Sequence, residues 1–379
     1  MINRERMVAE FCELVQIDSL SWREGAMAAA VIEKLRSLGL EVEVDDAGKA
    51  VGGETGNVIA RLAPARVRAH DERLPWIMLN AHVDTVVPGE GIKPVVVGDK
   101  ITAESETITG ADDKAGVAVI FEAVRQIIDG GIAHGGIEVV FTVAEEIGLC
   151  GAKEMDFSRL RSKMAYVMDG GEEHGTITVA APYANRMKFV MHGKASHAGV
   201  APEKGVNSIV AAARAIAEMT LGRIDDESTA NVGVIHGGQA TNIIPDLCTV
   251  DAEARSHDEG KLEAQTARMV GAMKAGAESI GATVEVEVER QYNGFRIGPD
   301  EPIVRLATEA AEGMGVEVSL QVGGGGSDAN IFNELGLAAV ILSTGGASVH
   351  TTAEYASIPT MVHAAEWLVA IVERIGDGE

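Results

Sequence analysis

Histidine and acidic side chains follow several short apolar runs of this sequence, at the points where the runs end. The positions are His82 and Asp84 after WIMLNA, Glu145 and Glu146 after IEVVFTVA, Asp169 after MAYVM, and His350 after AAVILSTGGASV. Asp112, in the string GADDKAG at the start of a predicted helix, can join them. Imidazole and carboxylate without thiol suit Zn²⁺ and also admit Mn²⁺ or Co²⁺. Two histidines with three or more carboxylates fit two metals that share one carboxylate and hold a water between them.

The elements that would position these residues alternate between strand and helix. Apolar runs of strand length occur at residues 76–79, 137–144, 164–168 and 338–342, and residues 116–128 have helical spacing. This alternation predicts an α/β fold, a mostly parallel sheet with helices on both faces. Residues 63–75 are polar and contain breakers, which predicts a surface loop. Because ligand sites in such folds form at the carboxyl ends of the strands, we expect the histidines and acids to converge there.

A second pattern, the regular alternation of apolar and polar residues, marks the middle of the chain. Residues 186–192 and the string TVEVEVE at 283–289 alternate in this way, which is typical of a sheet with one face in water. We therefore predict an α+β module of residues 181–291, inserted into a discontinuous α/β domain of residues 1–180 and 292–379. A chain of 379 residues exceeds the size at which one core usually keeps growing, which also favours two domains.

The charge balance makes several classes of partner unfavourable. With 32 Lys and Arg against 57 Asp and Glu, the formal net charge is −25, whereas nucleic acids and anionic membranes are bound by clustered cations. The 7 Phe, 3 Trp and 4 Tyr give few platforms for base stacking.

The N-terminus lacks the apolar segment of a secretory signal, and no apolar run is long enough to span a bilayer. Cys12, Cys150 and Cys248 lie far apart and read as free thiols. We therefore expect a soluble, cytoplasmic protein.

The motifs and their order are more specific than any single residue. They are HVDT at 82–85, GADDKAG at 110–116, EEIGLCGA at 145–152, MDGG at 168–171, GKASHAG at 193–199, TNIIPD at 241–246, GGGGSDAN at 323–330 and SVHTTAEY at 348–355. On these motifs the sequence resembles the co-catalytic zinc aminopeptidase and carboxypeptidase superfamily that includes glutamate carboxypeptidase and succinyl-diaminopimelate desuccinylase. GADDKAG is most similar to its aminotripeptidase, or peptidase T-like, branch. The resemblance implies a zinc exopeptidase fold with an inserted lid and dimerisation domain.

The same resemblance implies a division of the metal ligands. His82 and Asp169 would hold one zinc, Glu146 and His350 would hold the other, and Asp112 would bridge the two. The aminopeptidase members of the superfamily share the Asp at position 169, where other members have Glu.

Two further acids of the main domain have implied roles. Asp84 matches the carboxylate that orients a metal-bound histidine, which fixes the ring tautomer and raises its basicity. Glu145, one position before a ligand, lies where a general base could take the proton of the bridging water and hand it to the leaving amine. The Asp112–Asp113 peptide bond is commonly cis in the family.

Four candidates lie in the inserted module or in the glycine run that follows it. The resemblance implies that His197 stabilises the oxyanion of the tetrahedral intermediate, in its own or a partner's active site. It also implies that Asn242 and Arg255 contact substrate, and Arg255 suits bidentate capture of a carboxylate. Gly325 is a candidate for backbone contact with a substrate anion, because a glycine-rich turn lets N–H groups approach closely. The run lacks the Lys-Ser/Thr of a phosphate-binding loop.

The function expected from these features is a metal-dependent exopeptidase that hydrolyses the N-terminal peptide bond of small peptides, such as tripeptides. Its cofactors would be two divalent metal ions, Zn²⁺ first and Mn²⁺ or Co²⁺ as alternatives. The resemblance also implies a homodimer through the inserted module. An N-acyl-amino-acid amidohydrolase or a dipeptidase with the same di-zinc site is the alternative enzyme. A non-catalytic binding protein would be expected to lack a ligand or the base, and none is missing here.

Overall fold

The computed structural model of the protein describes residues 1–65 and 74–378, so most of the predicted loop at 63–75 lies outside the described residues. The chain forms two compact units. The first contains Met1–Ala180, Arg296–Gly323 and Ser327–Glu379, and the second contains Ala181–Phe295 and Gly324–Gly326. The second unit therefore extends beyond the predicted boundary at residue 291, because the strand that closes it continues to Tyr292.

The helices and strands follow the chain in this order. The helices are α1 (Arg4–Val15), α2 (Gly25–Ser37), α3 (Ala47–Val51), α4 (Ala111–Gly130), α5 (Cys150–Lys153), α6 (Ser208–Ala217), α7 (Glu259–Glu278), α8 (Pro302–Gly313), α9 (Asp328–Glu334) and α10 (Ile358–Asp377). The strands are β1 (Glu41–Val44), β2 (Val58–Leu62), β3 (Ile77–His82), β4 (Pro94–Val97), β5 (Lys100–Ala103), β6 (Ile137–Thr142), β7 (Met164–Gly170), β8 (Thr176–Ala181), β9 (Tyr183–His192), β10 (Ser196–His197), β11 (Gly222–Arg223), β12 (Ser228–Gly237), β13 (Ile243–Ile244), β14 (Leu247–Ser256), β15 (Thr283–Tyr292), β16 (Phe295–Arg296), β17 (Ser319–Val322), β18 (Ala338–Ser343), β19 (Gly346–Ala347) and β20 (Tyr355–Ser357).

The first unit is built on a mixed sheet with a parallel centre. Its strands run in the order β1, β2, β6, β3, β7, β18, β8, with β17 added on β8. The central strands β6, β3, β7 and β18 are mutually parallel, which confirms the predicted α/β class. The four apolar runs of the sequence correspond to these strands, and the helical pattern at 116–128 lies within α4. A smaller antiparallel sheet, β19–β20–β5–β4, belongs to the same unit.

Both faces of the central sheet are buried. On β3, Ile77, Leu79 and Ala81 belong to one hydrophobic cluster with residues of α1, α4 and α10. Met78 and Asn80 alternate with them and are also fully buried, so they face the opposite side of the strand. Helix α9 contacts β7 and β18. Because each fully buried large apolar side chain contributes about 1.5–3 kcal/mol, this two-sided burial fixes the register of the strands that carry the site.

The second unit is an antiparallel sheet covered by two helices. Its strands run in the order β11, β12, β14, β9, β15. Met187, Phe189 and Met191 of β9 are fully buried and cluster with Met269 and Met273 of α7. Their alternation with more exposed residues on the same strand is the period-2 pattern that the sequence showed.

No helix among residues 1–65 and 74–378 combines the length and the apolar character that crossing a membrane requires.

Candidate active site

The histidines and acids that follow the apolar runs lie at one edge of the central sheet. His82 is the last residue of β3, Asp169 lies near the end of β7, and Glu145 and Glu146 follow β6. Asp112 is the second residue of α4, and His350 follows β19. Because β6, β3 and β7 are parallel and in register, their carboxyl ends meet at the same edge. The peptide bond between Asp112 and Asp113 is cis.

The carboxylate of Asp112 lies between the two histidines. Its Oδ1 is 2.9 Å from His82 Nε2, and its Oδ2 is 3.2 Å from His350 Nε2. His350 Nε2 is also 3.0 Å from Glu146 Oε2, and His82 Nε2 is 4.0 Å from Asp169 Oδ1. Each oxygen of Asp112 thus faces a different histidine and carboxylate pair.

These atoms could hold metal ions. Ligand atoms of His82, Asp112 and Glu146 lie within 4.8 Å of one another, and so do those of His82, Asp113 and Asp169. A tetrahedral ion with bonds of about 2.0 Å separates its ligand atoms by about 3.3 Å, which lies within the range of the distances above. Imidazole nitrogen and carboxylate oxygen without thiol are a donor set for Zn²⁺, Mn²⁺ or Co²⁺.

The charge of the site also favours cations. Burial raises the pKa of Glu145 and Asp169 well above the ordinary range, and neighbouring carboxylates raise it further. Although burial lowers the pKa of His82, its contacts with Asp112 and other acids raise that pKa well above its usual value. The contacts of His350 with Asp112 and Glu146 raise its pKa to about 10. A divalent ion would supply the positive charge that this group of close carboxylates lacks.

Asp113 is held by the backbone, and spacing alone did not single it out. Its Oδ2 accepts the N–H of His82 at 3.2 Å, and its Oδ1 accepts the N–H of Gly116 at 3.2 Å. Asp113 therefore links the end of β3 to the first turn of α4. The only signal in the sequence was its place beside Asp112 in GADDKAG.

Asp84 contacts both a histidine and the turn after β6. Its carbonyl oxygen is 3.0 Å and its Oδ1 is 3.4 Å from His82 Nδ1. Oδ1 also accepts the N–H of Glu145 at 3.0 Å, and Oδ2 accepts the N–H of Glu146 at 3.3 Å. Ser21 donates its hydroxyl to Oδ2 at 2.6 Å. Asp84 thus ties the ring of His82 to the backbone of the two glutamates.

Two further buried acids were missed by the sequence analysis. Glu354, 2 % exposed, accepts backbone N–H groups at the start of α4. Asp328, also 2 % exposed, accepts a hydrogen bond from the hydroxyl of Thr142, and burial raises its pKa to about 6. Glu354 lies in the motif SVHTTAEY and Asp328 in the motif GGGGSDAN. In those motifs the sequence pointed only to His350 and Gly325.

A cavity of about 120 Å³ adjoins the candidate ligands. Its lining includes Asp112 and Asp169, together with Gly170, Gly171 and Val349. A Cβ on Gly170 would overlap the carbonyl of Leu342, so this glycine lets β7 lie close to β18, whereas the space beside Gly171 is open to within 3.9 Å of Gly346.

The remaining candidates lie in the second unit. His197 is exposed, and its Nδ1 accepts the N–H of Gly199 at 3.1 Å. The carbonyl oxygen of Asn242 accepts the N–H of Ala198 at 2.9 Å, so His197 and Asn242 belong to neighbouring segments, β10 and the loop before β13.

Arg255 lies on β14 in the same unit. Its Nη2 is 3.0 Å from Glu253 Oε2, and its buried Nε has no acceptor among the described residues. A Cβ built on Gly325 would be 3.7 Å from Arg255 Nη1, so the glycine run and the guanidinium are neighbours.

Comparison with known proteins agrees with this geometry. The model of peptidase family M20/M25/M40 matches residues 78–374. A protein of Bacillus subtilis described only as uncharacterized protein YqjE is 41 % identical over 374 residues, 99 % of each chain. Peptidase T of Geobacillus thermodenitrificans is 28 % identical over 418 residues, 98 % of each chain.

Two solved structures cover the chain almost completely. Aminopeptidase PepT of Bacillus cereus has 43 % sequence identity and a TM-score of 0.86 over 99 % of each chain. A tripeptidase of Staphylococcus aureus has 38 % identity and a TM-score of 0.91 over 100 % of each chain. The chain therefore belongs to peptidase family M20/M25/M40.

Proposed function

We propose that the protein is a metal-dependent exopeptidase that releases the N-terminal residue of small peptides, above all tripeptides. The observation that carries the proposal is the Asp112 carboxylate, each of whose oxygens faces a different histidine. The buried Glu145 directly precedes Glu146, which contacts one of these histidines. The full-length similarity to a protein described as a tripeptidase supports the choice of substrate.

The proposed cofactors are two divalent ions, Zn²⁺ first and Mn²⁺ or Co²⁺ as alternatives. His82 and Asp169 would hold one ion, Glu146 and His350 the other, and Asp112 both. When bound, the ions would supply Lewis acidity that polarises the peptide carbonyl and lowers the pKa of a water towards about 7. Asp84 would keep His82 in the tautomer whose Nε2 is free to bind.

Glu145 is the proposed general base. The residue is 8 % exposed, and its backbone N–H is fixed by Asp84 Oδ1. Burial raises its pKa, so its carboxylate has a higher proton affinity than an exposed one. It would take a proton from the attacking water and return it to the leaving amine.

The second unit would supply contacts to the substrate. We assign His197 to the oxyanion of the tetrahedral intermediate, and Asn242 and Gly325 to the peptide backbone. The buried, acceptor-free Nε of Arg255 supports its assignment to a substrate carboxylate.

We further propose a homodimer that forms through the second unit. Strand β11 pairs only with Thr229 and Ala230 of β12 in the described part of the chain, which leaves the rest of that edge open. Val234 and Ile235 on β12 are 42 % and 47 % exposed. An open edge with exposed apolar side chains is a surface that proteins usually cover. Among the described residues, Cys12, Cys150 and Cys248 form no disulfide, which supports a cytoplasmic location.

The proposal is tested with a panel of substrates. Tripeptides, dipeptides and N-acyl amino acids are incubated with protein loaded with Zn²⁺, Mn²⁺ or Co²⁺, and tripeptides are expected to be hydrolysed fastest, with release of the N-terminal residue. Glu145→Gln should keep the metals and lower kcat by at least about 100-fold, whereas Glu312→Gln on the exposed surface of α8 should not. Rapid hydrolysis of the acyl substrates alone would identify an amidohydrolase instead.

A further inference from the structure

A buried acid outside the assigned motifs contacts the turn that carries the proposed base. Glu24 directly precedes α2 and is 1 % exposed. Its Oε1 accepts the backbone N–H of Ala144 at 3.0 Å and that of Trp22 at 2.9 Å. Ala144 immediately precedes Glu145, so Glu24 binds the backbone directly before the proposed general base.

Three consecutive N–H groups of this turn are bound by two buried carboxylates. Glu24 accepts that of Ala144, and Asp84 accepts those of Glu145 and Glu146. Asp84 also contacts the ring of His82, so it has a second structural role besides binding this turn. Among the described residues, the side chain of Glu24 forms no hydrogen bond with a candidate ligand, and its hydrogen bonds to other residues are those with the N–H groups of Ala144 and Trp22.

Both residues that donate to Glu24 have a left-handed backbone. The φ angle is +52° at Ala144 and +69° at Trp22. For an L-residue other than glycine this region is unfavourable, so such a conformation persists only where neighbouring contacts fix it. The φ and ψ angles of Ala144 determine the direction in which the Cα and side chain of Glu145 leave the turn.

The contacts of Glu24 indicate that Oε1, which accepts both hydrogen bonds, is the atom that matters for the turn. Its Oε2 is buried and has no hydrogen-bond partner among the described residues. An unpaired buried oxygen is unfavourable, and the nearby charge of Asp84 adds to the cost of a carboxylate at this position. The contribution of Glu24 therefore lies in the two bonds to Oε1.

We propose that Glu24 is a positioning residue for the reaction, which holds Ala144 in its left-handed conformation through Oε1 and thereby directs the Glu145 carboxylate. The inference rests on the proposed function, because it assigns Glu24 a part in the work of Glu145. Glu24 itself is not assigned a contact with substrate or metal.

Four variants of the metal-loaded enzyme test it, with a tripeptide as substrate. Glu24→Gln keeps the acceptor oxygen and should leave kcat within about threefold of wild type, whereas Glu24→Ala and Glu24→Met remove the acceptor. These two should lower kcat by about 10- to 100-fold with KM within about twofold. The fourth, Glu33→Ala on the exposed side of α2, should have wild-type kinetics. Metal content and thermal unfolding are measured for each.

The outcomes distinguish failure of the proposed peptidase function from failure of the positioning role of Glu24. A metal-loaded wild-type protein that hydrolyses no peptide overturns both. An active wild type together with wild-type kcat in Glu24→Ala or Glu24→Met overturns only the role of Glu24. An equal loss of kcat in Glu24→Gln, or loss of folding or of metal in both acceptor-free variants, also overturns it, because either result would point to charge or to general stability. Loss of kcat with full metal content and rescue by Gln supports positioning.

Discussion

Glu354 binds the backbone of Asp112, the residue placed between the two histidines. The N–H of Asp112 donates to Glu354 Oε1 at 3.1 Å, and Oε2 accepts the N–H groups of Thr109 and Gly110 at 2.6 and 2.7 Å. The first N–H groups of a helix have no partner within it, and here one buried carboxylate binds those that lead into α4. Since Glu354 lies four residues after His350, it also links the segment of one candidate ligand to the backbone of another.

We therefore predict that Glu354→Ala weakens metal binding. Loss of the contact would free the Asp112 backbone and leave buried N–H groups unpaired, and removal of such supporting contacts commonly lowers metal affinity by about 10- to 100-fold. Glu354→Gln, which keeps one acceptor oxygen, should cause a smaller loss. Competition with a chromophoric chelator measures the affinity, and Glu334→Ala on the exposed side of α9 is the control. Unchanged affinity in Glu354→Ala would refute the role.

The positions of the candidate ligands could be anticipated from the sequence because their signal is local. His82 and Asp169 each close a buried strand, and the parallel pairing of β3 with β7 brings such ends together. Glu354 and Glu24 gave no such signal. Their partners are backbone N–H groups 242 and 120 positions away, and neither spacing nor residue type encodes those contacts.

The alternation of apolar and polar residues also could not predict where the second unit ends. Alternation in TVEVEVE marks most of β15, but the strand continues through a register shift between Arg290 and Tyr292, where period-2 alternation fails. Gly324–Gly326 joins the second unit through contacts such as that of Gly326 with Tyr292. A run of glycines carries no side-chain pattern from which such a neighbour could be predicted.

The stability of the first unit should depend on pH through His134. Burial lowers the pKa of this histidine below its ordinary value of about 6.5, so the unfolded chain binds a proton more readily than the folded one. Its full contribution to stability is present above about pH 6.5 and is lost as the pH falls through the lower pKa of the folded state. His134→Gln should therefore lose less stability than wild type between pH 7.5 and pH 5.5.

Urea unfolding of metal-free protein at the two pH values measures this difference. If the midpoints of His134→Gln and wild type shift equally, the burial of His134 does not contribute to acid sensitivity.

The proposed dimer predicts a response to charge at the open edge of β12. Ile235→Lys places a cation on an exposed apolar position of that edge, where burial of an unpaired charge against a second copy is strongly unfavourable. The dimer dissociation constant should rise by at least about 100-fold. Light scattering after size-exclusion chromatography gives the mass. Val288→Lys, at a 46 % exposed residue of β15, should remain dimeric, and a dimeric Ile235→Lys would exclude this edge as the interface.

Arg255 should determine how the enzyme responds to the charge of its substrate. A guanidinium binds a carboxylate through two parallel hydrogen bonds, and the Nε of Arg255 is buried without an acceptor in the described residues, as expected of a group whose partner is a ligand. Arg255→Ala should raise KM for a free tripeptide by about 10- to 100-fold. Arg255→Lys should recover only part of this, because an ammonium lacks the planar fork.

The matched substrate is the same tripeptide with a C-terminal amide. If Arg255 binds the carboxylate, the amide should be a poor substrate of the wild type, and Arg255→Ala should change its KM little. Arg268→Ala, at an exposed arginine of α7, should discriminate between the two peptides as the wild type does. An equal effect of Arg255→Ala on acid and amide would instead assign Arg255 to the structure of the second unit through its contact with Glu253, because only recognition of the carboxylate depends on the charge of the peptide terminus.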